Sequence, residues 1–196
     1  MNDLLVPFLA VFLAEAAGAS SAEGISAGLE AAPPGAVADA EADCYWALCK
    51  LLDRIQTHYT FAQPGIQEKL FAMGALVRRV DGRLGDHLVA EGLDYIQFAF
   101  RWVNCLLQRE MPFGLCARLW DTYLAEGDEF ADYLLYLLAA FLLHWSDTLR
   151  GLEFQDLVMF LQNLPTSSWG ERELETILAK AHLLRSSFKG AGNHLL

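Results

Sequence analysis

Apolar residues recur at helical spacing along almost the whole chain, and no stretch alternates apolar and polar residues over the length of a strand. A helix collects side chains three and four residues apart on one face, whereas a half-buried strand needs a repeat of two. The 196 residues are enough to bury a substantial core. We therefore predict an all-α fold, a single irregular multi-helix domain of about eight or nine helices. No repeat of about 34 to 47 residues is found, which leaves TPR or HEAT arrays as an alternative.

The most apolar segment of the chain runs from Phe130 to Trp145 and contains Asp132 and His144. A membrane-spanning helix needs about 20 apolar residues, and this run of 16 is too short. A helix that is apolar on all sides is typical of a protein core. We predict that it is the central helix and that His144 is a structural histidine within it.

The formal net charge is −11, and no Lys or Arg occurs before Lys50. Nucleic-acid binding requires a basic face, so no nucleic-acid partner is expected. Attraction to anionic lipid is disfavoured for the same reason, and no direct membrane insertion is expected. A protein partner that has a basic patch of its own is favoured instead.

The N-terminal run from Leu4 to Ala14, followed by small residues, looks like the core of a secretion signal, but a signal also needs a positive flank that is missing here. The four cysteines form no CxxC pair and have no His at ligand spacing. We predict reduced, buried thiols, no metal and no cofactor, in a cytoplasmic protein.

Residues 18–40 are rich in Gly, Ala, Ser and Pro and poor in large apolar side chains, so we expect a flexible acidic insert. Asp39 is the predicted N-cap of the next helix. The apolar face of this helix is expected to consist of Tyr45, Leu48, Leu52, Ile55 and Tyr59. A strong helix is predicted over residues 93–110, and Pro112 should stop it and open the next one, because proline disfavours helical geometry in the residue before it.

The segment FAFRWVNCLLQREMPFGLCARLWDTYLAEGD, residues 98–128, contains a dense pattern of aromatic and charged residues. It resembles the TBC domain of Rab GTPase-activating proteins, whose signature is F-x-x-RW…LL-x-RE-x-P…LWD. EADCYW and the opening MNDLLVPF are also similar to phrases of that family. The residues that match these motifs are Trp46, Phe98, Arg101, Trp102, Leu106, Leu107, Arg109, Glu110, Pro112, Leu119, Trp120 and Asp121.

This resemblance implies a V-shaped helical body whose groove faces a GTP-bound Rab GTPase, in vesicle trafficking and intracellular protein transport. In the family, a catalytic Arg and a catalytic Gln come from I-x-x-D-x-x-R and Y-x-Q-G-M motifs that precede the MND phrase. Residues 1–196 would then be the larger C-terminal part of the domain, without either catalytic residue. We expect the chain to have little or no activity alone and not to be an enzyme itself. Peripheral association with Rab-bearing membranes is expected, and the oligomeric state is left open.

Four residues are candidates for the GTPase-binding face. Asn2 and Asp3 are candidates because the family glutamine would stand just before them. Arg101 and Arg109 are also candidates, although each is favoured in a structural role, since pairing with Glu110 or Asp121 would fix the corner between two helices. Trp102 and Trp120 are expected to fill the gap at that corner.

Two pairs imitate the missing catalytic motifs. Asp147 and Arg150 have the spacing of the arginine motif, and Tyr95 and Gln97 have that of the glutamine motif. Their order along the chain is reversed and their neighbours differ from the family, so we interpret them as ordinary surface residues. The alternative function is a non-catalytic Rab-binding effector or scaffold. No motif of an unrelated enzyme class is present.

Overall fold

The computed structural model describes residues 2–19, 25, 28, 30 and 32–189. The described residues form ten α-helices and no strand, so the all-α prediction is confirmed. The chain divides into two compact units, Met1–Gln56 and Thr57–Leu196. Among the described residues, no helix is long and apolar enough to cross a membrane.

The N-terminal unit consists of two helices that pack against each other. They are α1 (Asn2–Ala17) and α2 (Ala36–Arg54). Pro7 lies inside α1 and is buried. Gly35, with φ of 97°, is the N-cap of α2, so this helix begins three residues before the predicted cap at Asp39. Residues 36–40, assigned to the insert, therefore belong to α2.

The buried face of α2 differs from the expected one. Ala40, Cys44 and Leu51 are buried, and Ile55 just beyond the helix is 1% exposed. Tyr45, which was expected on that face, is 60% exposed. A large aromatic residue at helical spacing was taken for core, but the small residues Ala40 and Cys44 occupy the buried positions.

The C-terminal unit contains eight helices among its described residues, joined by short turns. They are α3 (Pro64–Val80), α4 (Gly82–Ala90), α5 (Ile96–Asn104), α6 (Phe113–Ala125), α7 (Phe130–Leu143), α8 (Ser146–Leu149), α9 (Phe154–Gln162) and α10 (Glu171–Phe188). Single 3₁₀ turns lie at Gln56–His58, Gln108–Glu110 and Gly127–Glu129.

Helix α7 is the centre of this unit, as predicted. Eleven of its fourteen residues are buried, and α3, α6 and α10 pack against it. His144 is not inside the helix but is its exposed C-cap, where its ring meets Trp145 and Trp169 edge to face. His144 was expected within this helix as a structural histidine, but α7 ends one residue earlier at Leu143.

Helix α4 holds the segment that contains α8 and the start of α9. Its N-cap Asp81 accepts a 2.5 Å hydrogen bond from the Ser146 hydroxyl, which lowers the pKa of the Asp81 carboxyl. Further along, Glu91 accepts a 2.9 Å hydrogen bond from the backbone N–H of Phe154, the first residue of α9. Gly85 permits close packing of α4 on α3, since a Cβ there would lie 2.9 Å from the Cα of Arg78.

Candidate functional site

The motif-bearing segment folds around an ion pair between Arg101 and Glu110. Arg101 Nε donates to Glu110 Oε1 at 2.7 Å, and an Nη donates to Oε2 at 2.8 Å. The Glu110 side chain is 2% exposed, whereas that of Arg101 is 38% exposed. The hydrogen bonds to Glu110 raise the pKa of Arg101. This is one of the pairings that the sequence analysis expected at the helix corner.

Two further hydrogen bonds connect this ion pair to the last residue of α9 and to the segment that follows it. Arg101 also donates to the backbone carbonyl of Gln162, the last residue of α9, at 3.0 Å. The buried Thr166 hydroxyl donates to the backbone carbonyl of Glu110. Arg101 and Glu110 therefore hold α5, the 3₁₀ turn and the end of α9 together. Sequence reasoning missed Gln162 and Thr166, because no motif marks a hydroxyl 56 residues away as a partner.

Between α5 and α6, two successive leucines have a left-handed backbone conformation. The predicted helix over residues 93–110 is wrong in extent, because α5 ends at Asn104. Leu106 and Leu107 have φ of 51° and 61°, a left-handed conformation that costs a non-glycine residue about 1–2 kcal/mol. Both side chains are at most 1% exposed, and their burial offsets this cost.

Trp102 lies in an aromatic cluster behind the ion pair. Its ring, fully buried, meets Phe98 and Phe141 edge to face with centroids 5.1 Å apart in each case. On α6, Trp120 and Leu119 are buried as well. The hydroxyl of Tyr123 on α6 donates to the carbonyl of Leu106 at 3.4 Å. Both tryptophans are thus core residues of the C-terminal unit.

The other candidates divide between exposed and supporting positions. Arg109 and Asp121 are exposed, and Pro112 is the N-cap of α6. Asn2 is exposed and Asp3 half-buried in the first turn of α1, in the N-terminal unit. Trp46, expected as a structural residue, is 64% exposed on α2 and meets Tyr45 edge to face. Whether Asn2, Asp3, Arg101 and Arg109 contact a GTPase remains a prediction.

The two imitations of the catalytic motifs have local partners. The Gln97 side chain accepts a 2.8 Å hydrogen bond from the backbone N–H of Asp94. Arg150 pairs with Asp147 within the same turn. Both interactions fit ordinary surface residues at helix ends.

No metal centre is found in the part of the chain that the structure describes, since none of its His, Cys, Asp and Glu side chains form a suitable group of three. The four cysteines are free, and three of them are buried. Burial raises the pKa of the Cys116 thiol to about 12, so this thiol stays protonated at neutral pH.

Comparison with known families gives one match that runs across both units. Residues 1–149 match the model of the Rab-GTPase-TBC domain. GTPase-activating protein gyp1 of Schizosaccharomyces pombe is 44% identical over 196 residues, which are 100% of this chain and 38% of that protein. Human TBC1 domain family member 22A is 44% identical over 195 residues, 99% of this chain and 37% of that protein. The chain therefore spans little more than a third of the length of these relatives.

The fold is also similar to a solved structure. The crystal structure of the Ypt/Rab-GAP domain of Gyp1p aligns with a TM-score of 0.87 and 38% identity, over 95% of this chain and 59% of that one. The relatives' names correct one expectation from the sequence. We expected the chain not to be an enzyme, and this is wrong because the similar proteins are named GTPase-activating proteins.

Proposed function

Because the chain belongs to the Rab-GTPase-TBC domain family, we propose that it is part of a protein that binds a GTP-bound Rab and stimulates its GTP hydrolysis. The observation that carries this proposal is the family match over residues 1–149, which includes the whole ion-pair corner from Arg101 to Pro112. We also propose that the protein is cytoplasmic and associates peripherally with membranes that carry the Rab.

GTP hydrolysis by small GTPases is limited by the negative charge that develops on the transferred phosphoryl group and by the position of the attacking water. An arginine supplied in trans is worth about 10³ to 10⁵ in rate. The family resemblance assigns that arginine and a water-positioning glutamine to motifs absent from residues 1–196. We therefore propose that these residues supply binding surface and support, and that stimulation needs the two motifs as well.

Within the chain, we propose Asn2, Asp3 and Arg109 as residues that contact the GTPase. Asn2 and Arg109 are exposed, and Asp3 adjoins Asn2 in the first turn of α1. Arg101 acts differently. Its guanidinium is held by Glu110 and Gln162, so it positions the neighbouring surface while 38% of its side chain stays exposed to a partner.

The experiment is single-turnover GTP hydrolysis by a panel of Rab proteins. It compares residues 1–196, a version extended N-terminally by the residues that carry the Arg and Gln motifs, and the same extended version with its motif arginine replaced by lysine. We expect the unsubstituted extended version to stimulate GTP hydrolysis strongly, and the other two proteins to stimulate it little. Equal stimulation by residues 1–196 would refute the role of the two motifs, and no stimulation of any Rab would refute the proposed activity.

A further inference from the structure

The 3₁₀ turn at Gln108–Glu110 is held by a residue that lies far from it in the sequence. Its last residue, Glu110, is 4% exposed, and the chain leaves the turn in an extended conformation at Met111. An extended residue ends the helical hydrogen-bond pattern, so the buried Glu110 carbonyl needs a donor from elsewhere. The buried hydroxyl of Thr166, in the loop between α9 and α10, donates to this carbonyl.

Thr166 is itself held in place by the core. Its backbone N–H donates to the carbonyl of Leu164 at 2.8 Å, and its own carbonyl accepts from the N–H of Trp169 at 3.0 Å. The Trp169 ring meets Phe141 edge to face with centroids 5.7 Å apart, and Phe141 is a fully buried residue of the central helix α7. The hydroxyl that reaches Glu110 is therefore carried by a loop that packs on α7.

Glu110 is fixed at a second point by its side chain. Arg101 pairs with the Glu110 carboxylate and also donates to the backbone carbonyl of Gln162 at 3.0 Å. We call Arg101, Glu110, Gln162 and Thr166 the Glu110 clasp. Its contacts all lie within the C-terminal unit, and they hold both the backbone and the side chain of one residue. The turn thus has little freedom to change its conformation.

Arg109 is the exposed residue of this turn, directly before Glu110. We propose that Thr166 is a positioning residue that fixes Arg109, through the Glu110 clasp, for contact with a GTP-bound Rab. This inference rests on the proposed function, in which Arg109 contacts the GTPase. An arginine on a turn that is already fixed loses less conformational freedom on binding than one on a mobile turn. The clasp therefore lowers KM for the Rab, whereas kcat depends on the family's arginine and glutamine motifs.

The test measures initial rates of GTP hydrolysis at increasing concentrations of a GTP-loaded Rab, with the N-terminally extended version as the activator. Thr166→Val keeps the shape of the side chain and removes its hydroxyl. It should raise KM about fivefold at unchanged kcat, which is in the range of one lost hydrogen bond. Thr166→Ser keeps the donor and should restore KM. Thr176→Val is the matched control and should leave KM unchanged, because its hydroxyl donates to the carbonyl of Arg172 at an exposed position of α10.

A double-mutant cycle separates positioning from a general loss of structure. Arg109→Ala removes the contact that Thr166 is proposed to support, and by itself it should raise KM. Adding Thr166→Val to Arg109→Ala should then have no further effect. Additive increases would show that Thr166 acts on the fold as a whole and would overturn the proposal. An unchanged KM in either single variant, or an equal effect of Thr176→Val, would overturn it too.

Amide hydrogen exchange gives a readout that needs no GTPase. In residues 1–196, Thr166→Val should speed exchange in a peptide that spans residues 107–111, and Thr176→Val should not. Unchanged exchange there would refute the clasp itself. If the unsubstituted extended version stimulates no Rab, the proposed function fails, and the role of Thr166 in Rab binding fails with it. Normal stimulation together with an unaltered KM of Thr166→Val would refute the positioning role alone.

Discussion

Arg101 and Glu110 form a two-pronged ion pair in which one partner is almost fully buried and the other is partly exposed. A buried carboxylate that loses its cation keeps the cost of its desolvation. Most of the desolvation cost of the pair therefore falls on the Glu110 carboxylate, and the charge of Arg101 compensates it. Four predictions follow from this and from other local features of the described residues.

Replacing Arg101 by leucine should lower the free energy of unfolding by about 2–3 kcal/mol. This is somewhat less than for a fully buried pair, because solvent reaches part of the Arg101 side chain. Arg78→Leu is the matched control, since its pair with Asp86 is about two thirds exposed and should contribute below about 1 kcal/mol. Urea denaturation measures both variants, and equal losses would contradict the buried-carboxylate account.

Ala62→Gly should stabilise the protein by about 0.5–1 kcal/mol. Ala62 has φ of 61° and is exposed, so glycine relieves backbone strain without removing packing. The same change at Ala179, an exposed position inside α10, should cost about 1 kcal/mol. Thermal melts of both variants provide the comparison. A destabilising effect at Ala62 would show that its turn does not store the expected strain.

Acid should weaken the fold through His58. This side chain is 3% exposed, and burial together with the charge of Lys69 lowers its pKa to about 4. The unfolded chain then binds more protons than the folded one below about pH 6.5, so stability falls from there down to about pH 4, by about 3 kcal/mol in total. Above pH 6.5 the penalty is absent.

The variant His58→Phe should flatten this part of the pH profile, whereas His182→Phe, at an exposed position on α10, should not. Chemical denaturation at pH steps between 7 and 4 gives the free energy of unfolding for each protein. A profile of His58→Phe that runs parallel to the unsubstituted one would assign the acid sensitivity to other groups.

Arg150→Ala and Gln97→Ala, each made in the N-terminally extended version, should leave stimulation of Rab GTP hydrolysis unchanged. Arg150 is paired with Asp147, and Gln97 accepts a hydrogen bond from the backbone of Asp94, so neither is expected to reach a bound nucleotide. The single-turnover assay measures both variants. A large loss of rate in a folded variant would mean that the imitated motifs act in catalysis after all.

Sequence reasoning predicted features that depend on local spacing. The all-α class and the central position of α7 follow from helical periodicity. The pair of Arg101 with Glu110 is one of the four pairings expected from oppositely charged groups near one corner. Sequence reasoning failed where contacts with residues distant in the sequence determine the backbone conformation. Leu106 and Leu107 favour a helix by propensity, yet both are buried in a left-handed conformation, with backbone hydrogen bonds to Val103 and Trp102.

The N-terminal unit was harder to predict for a related reason. Gly35 starts α2 through its left-handed conformation, and no side chain caps this helix, so the usual Ser, Thr, Asp or Asn signal is missing. Tyr45 was expected on the apolar face because of its helical spacing, and Trp46 was expected as a structural residue because it matches a family motif, yet both are largely exposed. Amphipathic spacing indicates which residues share one face of a helix, but it does not show which other helices cover that face.

The distribution of tryptophan has an optical consequence. Only Trp46 belongs to Met1–Gln56, and its indole is already mostly in water, whereas Trp102 and Trp120 are buried and Trp145 stacks on Trp169 in the C-terminal unit. The red shift of intrinsic emission on denaturation would therefore report almost entirely on Thr57–Leu196. Melting of α1 and α2 would stay nearly silent in that signal while far-ultraviolet ellipticity recorded it.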